Sequence, residues 1–114
     1  MREAGRTVGR LAHALFPGAV LVEEPDFAAT RARTAALVAD PSVPAILEAA
    51  VEHDGIAIRA DVLERFPGGG FGLREVKSGT RVRDVHLDDL AIQRHVLAGA
   101  GFTITSVELI HVDP

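Results

Sequence analysis

Cysteine, tryptophan and tyrosine are absent from this 114-residue chain, and lysine and methionine occur once each. Without cysteine there is no disulfide framework, no thiolate zinc site and no iron–sulfur cluster. With five phenylalanines as the only aromatic residues, a core has to be assembled from Val, Leu, Ile and Ala. No apolar run is long enough for a signal peptide or a membrane span, and Arg2, Arg6 and Arg10 interrupt the first residues. A cytoplasmic location away from membranes is therefore expected. Excess positive charge is also missing. A net charge of −4 argues against a protein that coats nucleic acid by bulk attraction. It leaves room for an enzyme that meets phosphate only where bound cations cancel the acids.

What is present describes one globular domain over residues 1–114, with 47% hydrophobic and 25% charged residues around a single core. Residues 3–16 read as a helix with Val8, Leu11, Ala12 and Leu15 on one stripe, stopped by Pro17-Gly18. A short strand at Val20–Val22 follows. Asp26 or Thr30 caps a second helix that reaches about Val38. Residues 45–53 and 56–65 are extended, joined by Asp54-Gly55, a strong hairpin signal. Pro67-Gly68-Gly69-Gly70 turns the chain into a strand from Phe71 to Lys77. That glycine run lacks a following Lys-Ser/Thr and a helix, so it is a turn and not a phosphate loop. Asp84 caps a helix to about Ala98, and Thr103 to Val112 forms the last strand. The order predicts an α+β (α/β) fold, a mixed β-sheet flanked by helices.

The turns also predict which residues meet. A turn centred on Gly68 makes opposing residue numbers sum to about 136, which sets Asp61 against Glu75 and Arg59 against Lys77. A two-residue turn at Asp54-Gly55 makes them sum to about 109, which sets Glu48 against Asp61. Glu48, Asp61 and Glu75 then form a row across three strands, with neighbouring Cβ atoms roughly 4.5–5.5 Å apart. Leu47, Val51, Ile58, Val62 and Val76 are expected on the opposite, apolar face. Carboxylates so crowded require a cation or raised pKa values, and an all-oxygen set suits Mg²⁺ or Mn²⁺. The same row reads equally as a solvated face on which Lys77 and Arg59 neutralise the acids.

Lys77 sharpens the choice. The chain uses eleven arginines and places its one lysine two residues after Glu75. An ammonium is a compact charge whose pKa shifts readily, whereas a guanidinium is a planar fork that stays protonated.

A strand aspartate, a hairpin and then Glu-x-Lys resembles the PD-(D/E)XK nuclease superfamily, in its RecB-like exonuclease branch. Gly55-Ile-Ala-Ile-Arg-Ala-Asp61 resembles that branch's glycine, hydrophobic strand and metal-binding aspartate. Glu75-Val76-Lys77-Ser78 resembles its Glu-x-Lys-(Ser/Thr) motif, and Gln93 the glutamine of its Gln-x-x-x-Tyr motif. The likeness covers about residues 45–112. It departs where the motif tyrosine falls at Leu97, where a first-helix histidine falls at Gly9, and in the missing cluster cysteines.

The resemblance implies a restriction-endonuclease-like core and metal-dependent hydrolysis of DNA, with RNA not excluded. It implies that Asp61, Glu75 and the Val76 carbonyl hold Mg²⁺ or Mn²⁺, with Glu48 as a further acid. Lys77 would position or deprotonate the attacking water, and Gln93 would orient substrate. Arg81 and Arg83 would bracket the nucleic-acid backbone, or serve only as solvated loop charge. The rival expectation is a nuclease-fold module that no longer cuts and assists a larger system, through protein partners or a second copy. Among the histidines, His53, His95 and His111 show no ligand spacing, while His86, Asp89 and Gln93 share a helix stripe.

Overall fold

In the computed structural model, which describes residue 10, residues 12–78 and residues 84–112, helical residues 10 and 12–15 lead into an α+β fold. The elements then follow as β1 (Val20–Leu21), α1 (Phe27–Val38), β2 (Ala45–His53), β3 (Ile56–Arg65), β4 (Phe71–Ser78), α2 (Asp84–Gly99) and β5 (Ile104–Val112). The remainder of the expected first helix lies outside the described residues. Local chemistry sets the boundaries. Asp26 is extended and accepts the Ala29 N–H at 2.8 Å, the side-chain cap that an α-helix start requires. Asp54 and Gly55 take φ values of 55° and 75°, the left-handed pair of a two-residue hairpin turn. Gly68 and Gly69, at φ 93° and 97°, close the second hairpin, where the Phe66 N–H donates to the Gly70 carbonyl at 2.8 Å.

The described strands form one mixed sheet in the order β1-β2-β3-β4-β5. The outer pairs β1–β2 and β4–β5 are parallel, with α1 and α2 as their crossovers, and the two central pairs are antiparallel. The β2–β3 pairs sum to 109, as in Leu47↔Val62 and Ala49↔Ala60, and the β3–β4 pairs to 136, as in Leu63↔Leu73. These are the registers the turns predict.

The expected single apolar face is corrected. Leu37 of α1 and Leu90, Val96 and Leu97 of α2 pack on one side of the sheet against Ile46, Val51, Leu63 and Leu73, with Ile58 partly buried against them. Leu47, Val62 and Val76 instead pack on a second cluster with Ala12 and Phe16. Helical residues thus cover both faces, and the central strands are buried on each side as such layering demands. No helix among the described residues is long and apolar enough to cross a membrane.

One side chain ties α1 to the sheet. The Arg65 guanidinium donates to the carbonyls of Val43 (2.8 Å), Leu37 (3.1 Å), Val38 (2.9 Å) and Asp40 (3.1 Å). It lies 4.8 Å from the centre of the Phe71 ring. Leu37 and Val38 are the last residues of α1 and Asp40 and Val43 follow it, so the planar fork ties the C-terminal carbonyls of the helix to those of the loop behind it. Arg65→Lys keeps the charge and can replace only part of these bonds. It is expected to lower unfolding free energy by roughly 2–3 kcal/mol, read from urea denaturation midpoints at unchanged m-value.

Candidate functional site

The β3–β4 ladder runs from Arg65↔Phe71 to Val62↔Arg74 and stops there. Beyond it β3 pairs with β2, and β4 pairs with β5. The sheet therefore forks, and the next residues in line are Asp61 and Glu75. Asp61 Oδ2 accepts the Val76 N–H at 2.8 Å, taking a main-chain donor that a strand carbonyl would otherwise satisfy. Glu75 is only 6% exposed and points to α2. Gln93 Nε2 donates to its Oε2 at 3.0 Å, and Lys77 Nζ lies 3.2 Å from its Oε1. The other end of the Gln93 amide, Oε1, is buried with no hydrogen-bond partner among the described residues.

Glu48 completes the group from β2. It sits between the pairs Leu47↔Val62 and Ala49↔Ala60, level with Asp61, and has the left-handed φ of 60°. Burial pushes the Asp61 carboxyl up to about 7, reinforced by the negative charge of Glu75 and, more weakly, of Glu48. The Val76 N–H pulls the other way without reversing the result. Glu48 is raised as well, again first by burial, with Arg59 opposing and Glu75 adding to the rise. These are the directions expected of carboxylates withdrawn from water and set near one another.

Asp61, Glu75, Lys77, Gln93 and Glu48 are thus brought together, and Val76 contributes its N–H to Asp61. Two expectations of pairing are corrected. Asp61 and Glu75 do not form a ladder pair, because the strands part at Val62↔Arg74. Arg59 does not face Lys77; it pairs with Ala50 on the hairpin, and its guanidinium lies 5.7 Å from the Phe27 ring centre. Asp89 is exposed, on the helix that turns Gln93 inward. Arg81 and Arg83, expected to meet nucleic acid, lie outside the described residues, as does the side chain of His86.

Two supports escape a reading of the sequence. Arg74, beside Glu75, is 5% exposed and bridges Glu64 of β3 (3.3 Å) to Glu108 (2.9 Å) and Ser106 (2.9 Å) of β5. The one sequence signal is Gly72, where an added Cβ would meet the Arg74 guanidinium carbon at 2.6 Å. Thr34 of α1 accepts the Ala50 N–H at 3.0 Å, a contact between distant segments that no local pattern announces.

The Asp61 shift has a sign that can be measured. Between pH 4 and 7 the folded chain holds a proton on Asp61 that the unfolded chain has released, so stability falls as pH rises through that window. The slope is at most about 1.4 kcal/mol per pH unit. Asp61→Asn removes this slope and should be more stable than the wild type above pH 7 when metal is absent. Chemical denaturation at half-unit pH steps reads both outcomes. No family model matches this chain, and neither the curated proteins nor the solved structures contain a match to it, so the meaning of the site rests on its own residues and geometry.

Proposed function

We propose that this chain is a metal-dependent nuclease that hydrolyses phosphodiester bonds of DNA. In this reading its core is restriction-endonuclease-like and resembles the RecB-like PD-(D/E)XK exonucleases. The observation that carries the reading is the meeting of Asp61, Glu75 and Lys77 where β3 and β4 part, beside the half-satisfied amide of Gln93. The fold supports it in outline: a hairpin ends at the aspartate, the next strand carries Glu-x-Lys, and a helix leads to a parallel strand in a mixed sheet. RNA is the alternative substrate, and a cytoplasmic location belongs to the same reading.

The donor set suits a hard cation. Asp61, Glu75 and the Val76 carbonyl would hold Mg²⁺ or Mn²⁺, with Glu48 as an additional acid. Among the described residues no three His, Cys, Asp or Glu side chains form a metal-holding group by themselves; in the proposed set the third ligand is the Val76 main-chain carbonyl. A carboxyl raised to about 7 by burial and by a neighbouring carboxylate is a group that a cation would return to its charged form. Once held, the ion supplies charge against the scissile phosphate and lowers the pKa of water.

The chain's own residues do the rest. Lys77, swung off its Glu75 oxygen, would as an ammonium position the attacking water or stand against charge on the phosphate oxygens, or, having first released its own proton to solvent, take up that of the water. Gln93 Nε2 keeps Glu75 aimed inward, while Oε1 accepts from the water or from a substrate donor. Arg81 and Arg83 follow β4 in sequence and would meet backbone phosphates.

One observation favours the second reading, a non-catalytic nuclease-fold module of a larger system. Both Glu75 oxygens are already engaged within the chain, one by Gln93 and one by Lys77.

The lysine separates the readings. Lys77→Arg keeps the charge but cannot give up a proton, and its fork crowds the space a water needs. Cutting of single- and double-stranded DNA with Mn²⁺ should fall by about 10²-fold or more, with melting temperature nearly unchanged. Equal cutting by the variant would reduce Lys77 to a counter-charge, and no cutting by either protein would leave the non-catalytic module. Independently, millimolar Mn²⁺ should raise the wild-type melting temperature by binding the folded state and leave Asp61→Asn nearly unmoved.

A further inference from the structure

Only two non-glycine residues among those described have positive φ, Asp54 and Glu48. Asp54 is in a hairpin turn that requires such values, whereas Glu48 is in the middle of β2. A left-handed residue inside a strand is costly and persists only where its surroundings enforce it.

Its effect on both strands can be followed through the core. Along β2, Ile46, Ala49 and Val51 belong to one cluster, and Ala45 and Leu47 to the other. Along β3, Ala60 and Leu63 share the first cluster, with Val62 in the second. Regular alternation would put residues three apart on opposite faces. Both strands therefore change face at the level of Glu48 and Asp61. The register on either side is the same, so no residue is inserted; the chain turns over in place. At this level Asp61 leaves the ladder and aims its carboxylate at Val76 N–H.

The surroundings that enforce the turn are also visible. Before Glu48, β1 holds β2 through Val20↔Ile46 and Leu21↔Leu47, with the Val22 N–H on the Leu47 carbonyl at 3.0 Å. After Glu48 the partner changes to α1, where Thr34 Oγ1 accepts the Ala50 N–H at 3.0 Å. Thr34 is itself fixed, its hydroxyl donating to the Thr30 carbonyl at 2.7 Å, and both threonines are buried. The two halves of β2 are thus held by different elements on either side of one residue.

We propose that the left-handed backbone at Glu48, rather than its carboxylate, is the positioning element for Asp61, with Thr34 as the anchor that maintains it. The inference rests on Asp61 being the working carboxylate of the proposed nuclease. Its test uses protein without metal or substrate, so the two can fail separately. Native-state hydrogen exchange on ¹⁵N-labelled protein reads the Val76 amide, which Asp61 protects, against the core amides of Leu63 and Leu73. Asp61→Ala sets the rate expected when the acceptor is gone.

Glycine adopts positive φ freely, and glutamine retains the side chain's shape. Glu48→Gly and Glu48→Gln are therefore expected to exchange Val76 at the wild-type rate. A β-branched residue is a poor fit to that conformation. Glu48→Val should accelerate Val76 exchange at least about tenfold while Leu63 and Leu73 remain protected, the mark of a local opening and not of lost global stability. Thr34→Val, which removes the acceptor of Ala50 at nearly constant volume, should do the same, and it decides the matter should Glu48→Val not fold. Wild-type exchange at Val76 in the folded valine variants would overturn the proposal. Acceleration in Glu48→Gly equal to that in Asp61→Ala would also overturn it, by assigning the role to the carboxylate.

Discussion

Where β3 and β4 separate, the Val76 N–H has to find an acceptor, and it finds the Asp61 carboxylate at 2.8 Å. An unpaired main-chain donor at a nearly buried position would cost on the order of 1–3 kcal/mol. A sheet can therefore open at this point only if a side chain substitutes for the missing strand. Asp61 makes that substitution, and in doing so its charge is withdrawn from water beside Glu75. One hydrogen bond lowers the pKa of the group, while burial and the second carboxylate raise it further than the bond can offset. The fork and the perturbed acid have a single cause.

The two charged neighbours Arg74 and Glu75 show how alternation along one strand divides structural from chemical roles. Arg74 points away from α2, and the acids of β3 and β5 both reach it. Its compensation comes from two strands, so it pins β4 between them at the last ladder pair before the fork. Glu75 points toward α2 and meets one amide and one ammonium. The other end of that amide is buried with no hydrogen-bond partner among the described residues. Polar networks in a low-dielectric setting are costly while incomplete; Arg74 Nε has the Glu108 carboxylate at 2.9 Å as an ion-pair partner, whereas on the α2 side Gln93 Oε1 has no hydrogen-bond partner among the described residues. That is where an added water, ion or substrate group would find partners.

Turn chemistry made a large part of this legible in the sequence. Asp54-Gly55 and the Gly68–Gly69 pair demand positive φ, adopt it, and set the pairing of the adjoining strands. Because side chains alternate with a period of two, the level of Glu48, Asp61 and Glu75 followed from those turns. What did not follow was the face. A strand that turns over at Glu48 leaves numbering and register unchanged, and what reveals it is the folded chain: the positive φ of Glu48 and the division of Leu47 and Val51 between two clusters. Nor did the sequence announce where the ladder would stop. That depends on a competition between a main-chain carbonyl and a carboxylate for one N–H, together with the distant grip of Thr34 on Ala50. Local propensity is silent on such contacts, which join residues far apart along the chain.

The single lysine is intelligible in the same terms. Within four residues β4 carries both kinds of cation, and each stands where its shape serves. Arg74 must reach Glu64, Glu108 and Ser106 at once from a buried position, which calls for a planar group with several donors in fixed directions. Lys77 meets one oxygen of one carboxylate, with its side chain 30% exposed at the mouth of the fork. A guanidinium there would have donors that the described neighbours do not use, and it would fill the gap between the two arms. An ammonium on a flexible stem satisfies Glu75 and can still swing aside to another acceptor. The chain's exception to its preference for arginine thus falls where a small, movable charge faces an acid and an opening, while the guanidinium next to it holds the strand in place.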